Sequence, residues 1–83
     1  MQSEESVSID LVRIAPDQNT ARFYSVAFQQ TLFGEVSVLR CWGRIGTRGR
    51  SMTVTYENAG QAGDACNKLE SQKRRRGYVG AKR

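Results

Sequence analysis

Val7-Ser8-Ile9-Asp10-Leu11 alternates apolar and polar residues, the period-two spacing of a strand with one buried face. The pattern continues through Val12-Arg13-Ile14 and stops at Ala15-Pro16-Asp17-Gln18-Asn19. Proline brings no N–H to a ladder, and Asp and Asn close turns through their own side chains. Ala21 to Phe28, rich in aromatic residues, predicts a second strand. Gln29 to Gly34 reads as a loop in which Leu32 and Phe33, too apolar to stand free, pin the chain to the core. Glu35 to Trp42 predicts a third strand. Ser51 to Tyr56 predicts a fourth, with Met52, Val54 and Tyr56 alternating against the threonines. Gly43 to Arg50 is then a glycine-punctuated hairpin connection.

After Tyr56 the period changes. Ala62, Ala65, Cys66 and Leu69 recur at helical spacing, and the aliphatic stem of Lys73 extends the stripe. Asn58 followed by Gln61 is a capping-box-like start, and Gly77 is a natural stop. Arg74, Arg75 and Arg76 in the last turn complement the helix dipole. Gly60 and Gly63 are poor helix formers, which suggests a close approach of helix to sheet. Tyr78-Val79 reads as a short edge strand or a packed tail.

The expected fold is α+β: an antiparallel sheet of about four strands with one C-terminal amphipathic helix packed across one face. Residues 7–79 form the domain, and residues 1–6 and 80–83 are expected to be flexible ends. No apolar run approaches the roughly 20 residues of a membrane helix. The start Met1-Gln2-Ser3-Glu4-Glu5 is acidic and unlike a signal peptide, so the expected location is the cytoplasm, away from any membrane.

Charge changes the picture. The net charge is +5, and ten of the thirteen basic residues are arginine. Residues 1–39 hold two arginines against five acids, a balance of −3; residues 40–83 hold eleven bases against three acids, a balance of +8. Arginine's planar fork suits phosphate better than lysine's point charge. A basic half of this kind points to an anionic partner, nucleic acid first.

Residue counts also exclude chemistry. The chain has no histidine, the commonest general base and metal ligand. Its two cysteines, Cys41 and Cys66, are too few for a structural zinc site and read as small buried hydrophobes. The eight acids show no motif spacing. No catalysis, metal, cofactor or small-molecule substrate is expected.

The richest segment is Arg40-Cys41-Trp42-Gly43-Arg44-Ile45-Gly46-Thr47-Arg48-Gly49-Arg50. Glycines let backbone N–H groups approach a phosphate, and arginines add charge-assisted hydrogen bonds. Candidate contacts are Arg40, Trp42, Gly43, Arg44, Gly46, Arg48 and Arg50, with Arg74, Arg75 and Arg76 at the helix end. Trp42 has two readings, a stacking platform or a core anchor. It shares parity with Val36 and Val38, which suit a core, and with Arg40, which does not; a bulge near Arg40 would reconcile them. The spacing in Gly46-Thr47-Arg48-Gly49 superficially matches the GxxG loop of KH domains. That loop joins two helices, whereas strand periodicity flanks this one.

Trp42-Gly43-Arg44-Ile45-Gly46, followed by Gly49, resembles the signature of the WGR domain family. The resemblance extends to Arg22-Phe23-Tyr24, Leu32-Phe33-Gly34, Leu39-Arg40 and Arg75-Arg76-Gly77-Tyr78, over roughly residues 7–79. It implies an antiparallel sheet crossed by one helix. In poly(ADP-ribose) polymerases such a domain contacts DNA near a strand end and relays that contact to a catalytic region. Bacterial proteins also carry the domain. The resemblance assigns DNA contact to Trp42 and Arg44, and it favours DNA over RNA as partner. The alternative role is a protein-interaction module that docks the same surface on an acidic partner, because Trp and Arg also dominate protein hot spots.

Overall fold

A computed structural model describes residues 8–81. The described chain forms β1 (Ser8–Ala15), a short 3-10 turn (Pro16–Gln18), β2 (Thr20–Gln30), β3 (Val36–Arg44), β4 (Arg50–Tyr56), α1 (Ala59–Arg75) and β5 (Val79–Gly80). Val7, residues 1–6 and residues 82–83 lie outside it. The strands form one antiparallel sheet of order β4-β3-β2-β1-β5, and α1 packs against β3 and β4 on one face. The architecture is the expected one, with β5 as a fifth, short edge strand. The Ala81 N–H extends that edge to the Asp10 carbonyl at 2.9 Å.

Alternation fixes which face is buried. Leu11, Tyr24 and Trp42 lie directly opposite one another across β1, β2 and β3. Val26 and Val38 share their face, and with Leu11, Tyr24, Val36, Ala62, Cys66 and Tyr78 they make the core. Ala62 and Cys66 are one turn apart and are the two fully buried positions of α1. Ala62 has no exposed surface, so the helix is sealed against the core there. A Cβ on Gly63 would meet nothing within 4 Å, so that glycine is not what brings the helix close.

Both helix ends are closed by hydrogen bonds. At the N-terminus the Asn58 Oδ1 accepts from the Gln61 N–H at 2.9 Å, and the Gln61 Oε1 accepts from the Glu57 N–H at 3.2 Å. At the C-terminus Gly77 (φ +100°) donates to the Arg74 carbonyl, and Tyr78 donates to the Lys73 carbonyl. This paired 5→2 and 6→1 pattern is a Schellman motif. It reverses the chain so that Tyr78 returns to the core and β5 joins β1.

Two sequence expectations fail. Leu32 and Phe33 pin nothing: they are 94% and 86% exposed in the β2–β3 connection. There is also no bulge at Arg40, because β3 pairs without interruption from Val36 to Arg44. Arg40 does face the helix side, and it resolves the parity conflict chemically. Its Nε donates to the Tyr24 hydroxyl at 3.0 Å and its Nη1 to the Met52 sulfur at 3.5 Å. An amphipathic side chain can thus line a core edge while its head finds partners.

Candidate nucleic-acid interface

The site starts with glycines that shape the β3–β4 connection. Thr47 donates to the Arg44 carbonyl from its N–H at 3.1 Å and from its hydroxyl at 2.8 Å. Gly46 (φ +97°) sits at the third position of that turn, and Ile45 before it has an ordinary φ. Positive φ at that position alone defines a type II turn. Gly49 (φ +70°) lies where a Cβ would run into the Trp42 carbonyl oxygen and stand 2.8 Å from the Phe23 ring. A Cβ on Gly43 would stand 2.6 Å from the Gly49 Cα. Gly43 and Gly49 therefore pack against each other beside Phe23. Close backbone packing explains both of them without a phosphate.

This packing aims the arginines. Arg40, Trp42, Arg44 and Arg50 all lie on the helix-side face of β3 and β4. Arg44 and Arg50 are exposed, and Arg48 is exposed in the connection itself. Trp42 is half-buried against the core cluster, and the Arg40 guanidinium lies 5.7 Å from its ring centroid.

The sheet register adds two residues that the sequence reading left out. Arg13 pairs with Arg22, and Arg22 pairs with Arg44, so three adjacent strands carry an arginine row on the helix-side face. Like charges directly opposite one another in a sheet are destabilising. Among the described residues no ion pair joins a carboxylate to this row; Arg74 and Glu70 pair elsewhere, at 2.9 Å. A signal existed in the sequence. Arg13 follows Leu11 by two residues and Arg22 precedes Tyr24 by two, so each is in phase with a core position at a strand end.

The helix end joins the same surface. The Lys73 Nζ lies 4.7 Å from the Tyr24 ring centroid and 5.4 Å from that of Tyr78. Burial pushes the Lys73 ammonium below its ordinary pKa, and the positive charges of Arg76, Arg40 and Arg22 push the same way. The helix end and the β3–β4 face thus share one electrostatic field. Arg74 stands apart, held by Glu70 through the i,i+4 pair. Arg75 and Arg76 are exposed. Beneath the surface, burial pushes the Cys66 thiol up, and Arg40 offsets part of that shift.

The arrangement is a field of arginines with one aromatic face in its midst, suited to binding a polyanion. Among the described residues no helix is long and apolar enough to cross a membrane. No solved structure matches the chain. The uncharacterized protein y4dW of Sinorhizobium fredii is 44% identical over 69 residues, covering 80% of this chain and 32% of its own length. The chain therefore spans about a third of that relative. The WGR domain family matches residues 7–83, so the arginine field and Trp42 belong to a member of that family.

Proposed function

We propose that this chain is a non-catalytic nucleic-acid-binding module that engages DNA backbone at or near strand ends. The observation that carries the reading is the row Arg13, Arg22 and Arg44, directly opposed across three strands and, among the described residues, ion-paired to no carboxylate. A fold that tolerates this repulsion gains most when a polyanion neutralises it. Trp42 offers an aromatic surface for a terminal base or sugar, and Arg40, Arg48, Arg50, Arg75 and Arg76 extend the field around it. Backbone contact would make binding largely independent of base sequence.

The test is a binding titration with blunt duplex, nicked duplex, closed circular duplex and single strand at several salt concentrations. If about four phosphates are engaged, log K should fall against log[salt] with a slope of about −3 to −4 on duplex DNA. Ends and nicks should bind more tightly than closed circular duplex. A flat salt response would favour docking on an acidic protein through the same surface. No binding even at low salt would end the nucleic-acid reading.

A further inference from the structure

A groove of about 360 Å³ runs between α1 and the β3–β4 side of the sheet. Half-buried Tyr56, Ala65 and Leu69 give it an apolar lining, with exposed Gln72 beside them. Asp64 and Lys68, one helical turn apart, stand at its rim. Arg40 also lines it, and the same guanidinium lies over the Trp42 ring, so the groove adjoins the arginine field. Its volume is in the range of small-ligand sites.

The rim chemistry says what fits. A carboxylate at the mouth repels a phosphate, so this is not a further backbone contact. Tyr56 and the aliphatic lining suit a flat, weakly hydrated ring. Arg40 and Lys68 supply donors, and Asp64 supplies an acceptor. Among the described residues neither Asp64 nor Lys68 is held in an ion pair, so both are available. Guanine alone among the bases presents two adjacent donors, N1–H and N2–H, on one edge and two acceptors, O6 and N7, on another. Two donors match a carboxylate, and O6 with N7 matches a guanidinium or ammonium.

We propose that the groove receives one unpaired base, guanine before the others, from the single-stranded end of a DNA whose backbone lies on the arginine field. The assignment rests on the DNA-binding reading above. The phosphates stay on the arginines, the terminal sugar or base meets Trp42, and the next unpaired base turns past Arg40 into the groove. The module then prefers an end with an overhang to a blunt end, and it reads one base identity within otherwise sequence-independent binding.

Fluorescence anisotropy with matched short duplexes tests this, one blunt and the others carrying short 5′ or 3′ overhangs of guanine or thymine. The guanine overhang should bind about fivefold or more tightly than the blunt duplex, with thymine between them. Asp64→Asn should erase the guanine–thymine difference without weakening blunt binding, since it only removes a charge that repels phosphate. Ala65→Trp, which fills the groove, should erase the whole overhang advantage. Circular dichroism checks that this variant folds, and Lys68→Ala at the exposed rim is a second variant that should weaken the guanine preference in an intact core. Equal binding of blunt and guanine-overhang duplexes would overturn the groove and leave the arginine interface standing. An overhang advantage that survives Asp64→Asn and Ala65→Trp unchanged would also overturn it. Absence of binding to every probe would overturn the interface, and the groove with it.

Discussion

The strand β3 ends in connections of equal length, residues 31–35 before it and 45–49 after it, and they are built in opposite ways. The first carries Leu32 and Phe33 into solvent and closes through the Thr31 N–H to the Glu35 carbonyl at 2.9 Å. The Phe33 N–H adds a bond to the Thr31 hydroxyl at 3.2 Å. The second carries Arg48 in solvent, yet its backbone is fixed from several sides. Ile45 donates to the Ala21 carbonyl of β2 at 2.9 Å, and the Gly43–Gly49 contact packs against Phe23. Hydrophobicity predicts the reverse, with the Leu-Phe turn pinned and the Arg-Gly turn loose. Backbone packing decides instead: where two strands approach with no Cβ between them, a polar turn is locked. A locked turn holds its flanking Arg44 and Arg50 in place, as a binding site requires.

The largest effect should come from putting a Cβ where the locked turn has no room. Gly49→Ala collides with the Trp42 carbonyl and crowds Phe23 at a positive φ. We expect a loss of about 2–4 kcal/mol, a fall in melting temperature of roughly 10–30 °C. Gly34→Ala in the other connection also has a positive φ, +84°, but a Cβ there meets nothing within 4 Å. Only conformational strain remains, about 1 kcal/mol. Thermal melts followed by circular dichroism measure both. Equal losses would mean that the two connections are held alike.

How much of this was legible in the residues varies with the kind of interaction. Alternation in β1, β2 and β4 and the stripe Ala62, Cys66, Leu69 marked strands and helix because burial writes a period into the chain. The helix ends were legible through Asn58, Gln61 and Gly77, since caps are local. Arg48, Arg50 and Arg44 were conspicuous because they sit among glycines. Arg13 and Arg22 were not, because their meaning depends on register, which pairs residues far apart in sequence. The packing of Gly43 against Gly49 was not legible either, because a close approach of two glycines across the hairpin depends on its geometry. Leu32 and Phe33 misled because apolarity states a preference for burial and does not supply a surface to be buried against.

The arginine row gives the next largest effects, and they separate binding from stability. Arg44→Ala should weaken DNA binding by about 1.5–3 kcal/mol and reduce the salt slope by about 1. Arg22→Ala should weaken binding similarly. Arg22 has a like charge opposite it on each side, Arg13 and Arg44, so its removal should raise folding stability by roughly 0.2–1 kcal/mol. Anisotropy titrations and urea melts read the two quantities separately. A destabilised Arg22→Ala protein would mean that the row is a structural feature rather than a prepared anion site.

Lys73 supplies a smaller, pH-dependent effect. Its folded-state pKa lies below the ordinary 10.5, first through burial and then through Arg76, Arg40 and Arg22. Between the depressed value and 10.5 the unfolded chain holds the proton more tightly. Folding stability from this group is therefore present above 10.5 and lost as pH falls through the folded value. Phosphate on the arginines neutralises three of those neighbours and moves the Lys73 pKa back up. DNA binding should then take up protons where the free protein's Lys73 titrates, below the ordinary 10.5, and weaken as pH rises through that window. Calorimetry in two buffers of different ionisation enthalpy measures that uptake, and none should remain in Lys73→Met.

The smallest expected effect is the most direct test of the contrast between the two connections. Leu32 and Phe33 lose almost no exposure on folding, at 94% and 86% exposed, so neither contributes appreciable burial energy to this chain. Leu32→Ser and Phe33→Ser should each change stability by less than about 0.5 kcal/mol, as exposed substitutions do. DNA affinity should also be unchanged, because residues 31–35 join the ends of β2 and β3 farthest from Arg22 and Arg44. A combined variant should keep the wild-type melting temperature within about 4 °C. A larger drop would show that the turn does rest on the core in solution, and that the asymmetry between the two ends of β3 is not the rule that positions the arginines.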